Sequence, residues 1–164
     1  MGAAGVDIRV DDLTGEATRD LIRAHLSQMF SQTPPESVYA LPIEGLTAPG
    51  VTFWSVWAGG EIVGCGALKE IDPTHGEIKS MHTLARFRGL GYGRAMLDFI
   101  LAEARRRGYR RLSLETGGTA PFAAALALYK GAGFTATGPF GDYEFDPHSV
   151  YLTLQIMGPA PEST

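Results

Sequence analysis

Arg88-Gly89-Leu90-Gly91-Tyr92-Gly93-Arg94 joins a strand-like run, Glu77 to Leu84, to a long helical pattern, Gly91 to Arg107. Glycine lacks a Cβ, so three alternating glycines let the backbone take positive φ and approach a ligand closely. The first N–H groups of the following helix have no partner within it, and the helix dipole adds partial positive charge, which together make an anion site. A self-sufficient helix start carries Ser, Thr, Asp or Asn as its cap and acids in its first turn. This one carries none, and Arg88 and Arg94 flank it instead. The start is left open for an external anion such as a phosphate. Gly89-x-Gly91-x-Gly93 lacks the dinucleotide spacing G-x-G-x-x-G, and no Gly-Lys-Ser/Thr follows to make a P-loop.

Outward from the turn, the downstream helix places Tyr92, Met96, Leu97, Phe99, Ile100, Leu101 and Ala104 at apolar positions, with Arg94, Asp98, Arg105 and Arg106 on the other side. Glu103 and Arg107 form an i,i+4 pair, and Gly108 ends the helix. Leu112 to Thr116 is a short apolar strand, so strand, helix and strand in succession imply a parallel crossover. Upstream, Val51 to Ala58 and Glu61 to Glu70 are strands joined by the hairpin signal Gly59-Gly60. Asp72 to Gly76 turns the chain into Glu77 to Leu84, giving an antiparallel meander. Val6 to Val10 reads as a first strand, and Thr14 to Phe30 as a helix that Pro34-Pro35 breaks. From Ser31 to Gly50 the chain reads either as a short helix with irregular chain or as a lid. Thr119 caps a last helix with Pro121 in its first turn, running to about Lys130. Phe134 to Thr137 and Ser149 to Ile156 are terminal strands. The class is α/β with a mixed sheet in one domain, 1–164. Its core spans about 6–157, and 158–164 is a disordered tail.

The composition, 45% hydrophobic and 20% charged, is globular, and the net charge of −4 supplies no field to draw in nucleic acid. One cysteine, Cys65, allows no internal disulfide, and it sits in an apolar run as a core residue. No run approaches the roughly 20 apolar residues of a membrane span. A cytoplasmic protein with neither nucleic acid nor membrane as partner is expected. His25, His75 and His148 are scattered without ligand spacing, so no metal is expected. No Gly-x-Ser-x-Gly elbow is present.

The strand, Arg88-x-x-Gly91-x-Gly93 and long helix resemble the acetyl-CoA signature of the GNAT superfamily of N-acetyltransferases. Ala125-x-x-Leu128-Tyr129-x-x-x-Gly133-Phe134 is similar to the family's second signature. One strand lies between the two, as in the family. The likeness is clear over Val51 to Phe134 and looser elsewhere. Pro34-Pro35-Glu36-Ser37 through Trp54 resembles uncharacterised bacterial members. The resemblance implies antiparallel strands 1–4, then the crossover, in a central splayed sheet flanked by helices. It implies acetyl-CoA as co-substrate, an amine as acceptor and, since members often dimerise, a homodimer.

The resemblance also implies residue roles. The turn Arg88, Gly89, Leu90, Gly91, Tyr92, Gly93 and Arg94 holds the CoA pyrophosphate. Met81, His82 and Thr83 pair their backbone with the pantetheine amides, and one of their N–H groups serves as oxyanion donor. Phe122 and Tyr129 lie beside the same arm. Many members carry Asn seven positions before the signature Tyr; Phe122 stands there instead, leaving no side-chain amide at that place. Attack by an amine on a thioester needs a base for the amine and a proton for the leaving thiolate. Tyr129 matches the proton donor. Glu77, eleven positions before Arg88, matches the catalytic Glu of some family histone acetyltransferases, with pairing to Lys79 as the plainer reading. His82 is a rival base. Strict alternation puts Glu77 and His82 on opposite faces, so both reach one site only if a bulge intervenes. Asp142, Tyr143, Glu144 and Asp146 read as a solvated loop, with reach to a cationic acceptor as the alternative. The acceptor is a small-molecule amine; a protein N-terminus or lysine is the alternative, and a CoA-binding sensor without turnover is the non-enzymatic one.

Overall fold

The structure, a computed structural model, describes residues 5–156, so the tail 158–164 lies outside the described residues. The chain runs β1 (Val6–Val10), α1 (Glu16–Gln32), α2 (Ile43–Leu46), β2 (Val51–Ala58), β3 (Glu61–Asp72), β4 (His75–Thr83), α3 (Tyr92–Arg106), β5 (Arg111–Gly117), α4 (Ala123–Gly131), β6 (Thr135–Thr137) and β7 (Ser149–Gln155). The seven strands form one sheet in the order β1-β2-β3-β4-β5-β7-β6. All neighbours are antiparallel except β4 and β5. That pair is parallel because α3 carries the chain back across the sheet between them.

Successive strand residues point to opposite faces, and the core divides accordingly. Trp54, Val56 and Leu68 join Leu97, Ile100, Leu112 and Leu152 under α3 and α4. Their neighbours Phe53 and Ala67 join Leu21, Ile22 and Leu46 under α1 and α2. Leu97 is fully buried, and removing such a side chain costs roughly 2–5 kcal/mol.

Local chemistry moves several element ends from where pattern alone places them. Helix α1 begins at Glu16, not Thr14, because Asp12 accepts both the backbone N–H and the hydroxyl of Thr14 and holds that residue in a turn. Thr119 makes no side-chain cap bond; a single 3-10 turn, Ala120–Phe122, precedes α4 and is closed by the Phe122 N–H on the Thr119 carbonyl. The segment 33–50 takes the form of a short helix with irregular chain: it holds a 3-10 turn, Pro35–Ser37, and the one-turn α2.

The bulge in β4 decides which side chains share a face. Cys65 of β3 pairs with His82 and Ala67 with Lys79, so the single Gly66 opposes both Ser80 and Met81. Ser80 takes φ 55°, a left-handed conformation uncommon outside glycine. The extra residue reverses the alternation. Glu77, Lys79 and His82 therefore share the α1 side of the sheet, while Met81 packs with Met96 and Ile100 under α3.

Candidate functional site

Strands β4 and β5 pair only at His75–Glu77 with Arg111–Ser113. Beyond those three rungs they part, and a cleft of about 490 Å³ opens between them. Met81, His82 and Thr83 of β4 line it, as do Glu115 and Thr116 of β5. Leu128 and Tyr129 of α4 close one side; His25 of α1 and Tyr39 close the other.

The start of α3 opens into this cleft. Gly91 is its N-cap at φ 91°, with no side-chain cap bond and no acid in the first turn. The first intrahelical bond is that of the Ala95 N–H to the Gly91 carbonyl, so the N–H groups of Tyr92, Gly93 and Arg94 precede the helical ladder. Arg88 is held beside them by the Thr83 carbonyl and the Gln28 side chain, at 3.2 and 2.9 Å. Arg94 pairs with Asp98 at 3.0 Å. Gly89, Gly91, Tyr92 and Gly93 all line the cleft. Leu90 does not: it is 58% exposed, so only its backbone belongs to the turn. An open N-terminus flanked by two guanidinium groups fits a diphosphate. Phe122 is buried with its ring against Gly117 and lines the cleft without offering a polar atom.

Tyr129 is buried at the cleft wall, and burial alone pushes its phenol well above the usual range, keeping it protonated. Glu77 lies outside the cleft lining. It is 3% exposed, its carboxylate pairs with the Lys79 ammonium at 3.2 Å, and it accepts the Tyr143 hydroxyl at 2.6 Å. His82 faces His25 with ring centroids 4.8 Å apart. Burial first, then the His25 ring and the Arg88 charge, drive His82 down to about 3; burial drives His25 down to about 4. Both imidazoles are neutral at physiological pH.

Glu115 and His25 are among the cleft residues that sequence alone did not single out. Glu115 sits in the Leu112–Thr116 run, where it passed as one polar position in an apolar strand. It becomes part of the cleft because β4 and β5 separate before reaching it. Its Oε2 accepts the Ser149 hydroxyl at 2.7 Å, and burial raises its carboxyl to about 7. His25 lies on the buried side of α1, where helical spacing reads it as core; only the fold brings it to His82.

The loop between β6 and β7 is not a merely solvated one. Asp142 and Glu144 are exposed, but Tyr143 donates to Glu77 and accepts from Lys79 at 2.7 Å. Asp146 is buried and accepts the Tyr39 hydroxyl at 2.6 Å. The Ser37 hydroxyl meets His148 Nδ1 at 3.3 Å. This loop and the segment around Tyr39 form one wall. Cys65 is buried and gives its S–H to the Ser80 carbonyl, with burial pushing the thiol far up, so it is no nucleophile.

A mixed sheet split between its parallel strands, with an uncapped helix start at the split, is the architecture that the resemblance to the GNAT acyltransferases implies. Residues 16–134 match the Acetyltransferase (GNAT) family. An uncharacterized N-acetyltransferase of Bacillus subtilis, YsnE, is 50% identical over 149 residues, covering 91% of this chain and 99% of its own. The structure of a Klebsiella pneumoniae acyl-CoA N-acyltransferase is similar at TM-score 0.75 and 29% identity, over 93% of this chain and 98% of that one. A GNAT family acetyltransferase from Elizabethkingia anophelis, solved with acetyl-CoA bound, shares the fold at TM-score 0.65 and 17% identity, over 93% and 99%. The chain belongs to the GNAT acetyltransferase family and is an N-acetyltransferase. No helix among the described residues is long and apolar enough to cross a membrane.

Proposed function

We propose that this enzyme moves acetyl from acetyl-CoA to the primary amine of a small molecule by direct attack. The observation that carries the reading is the uncapped start of α3 at Gly91, open to the cleft where β4 and β5 part. The pyrophosphate takes the N–H groups of Tyr92, Gly93 and Arg94, with Arg88 and Arg94 as counter-charges. The pantetheine arm pairs with the β4 backbone at Met81, His82 and Thr83, passing Phe122 and Tyr129. Tyr39, which Asp146 of the 140–148 loop holds in place, lines the cleft opposite Tyr129, and a small-molecule acceptor is the reading adopted.

The amine nitrogen bonds to the thioester carbonyl carbon and the C–S bond breaks. The proton leaving the nitrogen goes to Glu115, directly or through water, and the thiolate takes the proton of Tyr129. The base is assigned to Glu115 ahead of Glu77 and His82. It lines the cleft, keeps one oxygen free and has a pKa near the working pH, where a base is most effective. Glu77 is engaged by Lys79 and Tyr143, so it orders the acceptor wall. His82 is too weak a base in its buried setting and contributes through its backbone.

The test is thiol release from acetyl-CoA across a panel of amines, beside calorimetry with CoA. Acetylation of at least one amine and measurable CoA binding are expected. Binding without thiol release from any amine makes the protein a sensor; no heat with CoA removes the cofactor assignment.

A further inference from the structure

Several cleft side chains are already engaged. Arg88 holds Gln28 and the Thr83 carbonyl, Lys79 holds Glu77 and Tyr143, and Tyr39 holds Asp146. Others lack partners among the described residues: the Tyr129 hydroxyl, one oxygen of Glu115, and the rings of both His25 and His82. The fully buried unpartnered side-chain atoms among the described residues are Thr33 Oγ1 and Ser80 Oγ, so the groups just named are open to the cleft and available to a ligand. Tyr129 is matched by the leaving thiolate and Glu115 by the amine. The imidazoles remain.

They stack at 4.8 Å and line the cleft. His25 is buried. Around them stand the Arg88 guanidinium on the loop after β4, Gln28 one turn along α1, and the Cys65 thiol opposite His82 on β3, with no carboxylate in contact. The Arg88 guanidinium lies near enough to act on His82, and each ring has an N–H to give. We infer that His25 and His82 form a seat for a carboxylate of the acceptor, whose ammonium lies toward Glu115, so that the substrate is an amino acid rather than a simple amine. This rests on the acetyl-transfer reading above. The shared chemistry is an oxyanion, and coenzyme A carries oxyanions too. Its diphosphate, however, has its own cations and open helix start at Gly91 to Arg94.

The experiment compares thiol release for matched pairs: amino acids against their decarboxylated amines, and ω-amino acids against n-alkylamines of equal length. The carboxylated member should show a kcat/KM about ten- to a hundredfold higher, the weight of one charge-assisted hydrogen-bonded contact. His25→Gln should collapse that ratio. In parallel, NMR titration of the two imidazoles should show their midpoints rising when the N-acetylated amino acid is added to the CoA complex. Equal rates for both members of every pair overturn the seat and leave acetyl transfer standing. A rise caused by CoA alone also overturns it, since the anion is then the coenzyme's. No thiol release with any amine overturns acetyl transfer and the seat together.

Discussion

Glu115 holds its proton to about pH 7 in the fold, against 4.5 ordinarily, because burial penalises the carboxylate. The folded state thus binds more protons than the unfolded one between those values, and this group alone makes stability fall as pH rises through them. Its function needs the opposite form. The kcat/KM profile should rise with an apparent pKa near 7, and Glu115→Gln should flatten that limb and lower the plateau by about a hundredfold or more. Tyr129→Phe should cost a similar factor in turnover while CoA affinity by calorimetry stays put; unchanged turnover dismisses the donor role. The imidazoles have the reverse linkage. Their folded pKa values, about 4 and 3, lie below the ordinary 6.5. Their contribution is complete above 6.5 and is lost as pH falls toward 4 for His25 and toward 3 for His82. Denaturant titrations should show stability dropping over that interval, with a shallower slope in His25→Gln. The turn was singled out from its alternating glycines ahead of a helix, and Tyr129 from its resemblance to a family signature; both line the cleft. Glu115 and His25 were not singled out, since nothing local says that two strands separate or that a helix face meets a strand.

The turn into α3 is the element on which the cofactor reading stands. At Gly91 the backbone sits at φ 91°, so an added Cβ is strained whatever the space around it. Gly91→Ala should cost about 1–2 kcal/mol in urea unfolding and weaken CoA binding, because the N–H groups it orients are the site. Loss of stability with unaltered CoA affinity would separate the turn from the ligand. The hairpin Gly59-Gly60, the two long helices and all seven strands could be read from periodicity and turn chemistry. The bulge at Ser80 could not: no proline or glycine marks it on β4, and alternation raised it only as the condition for Glu77 and His82 to share a face. Its effect is large, since without it His82 would face α3 and never meet His25. Similarly, Thr14 reads as a helix start until Asp12 is seen to hold it in a turn.

For the whole molecule, a ligand that binds only the folded form stabilises it by mass action. CoA at 100 times its Kd adds about 2.7 kcal/mol, which for a chain of this size raises Tm by roughly 5–10 °C. A thermal scan with CoA against one with adenosine alone should show the shift only for the former if the diphosphate and arm carry the binding. The antiparallel run of strands 1–4 and the parallel crossover were foreseeable, whereas the insertion of β7 between β5 and β6 and the contacts between segments far apart in the chain were not. The Tyr39–Asp146 and Ser37–His148 bonds join stretches 107 and 111 residues apart. Anyone grafting acceptor preference between relatives would therefore have to transplant residues 34–42 and 140–148 as a pair, because either stretch alone would arrive in its new host without its counterpart.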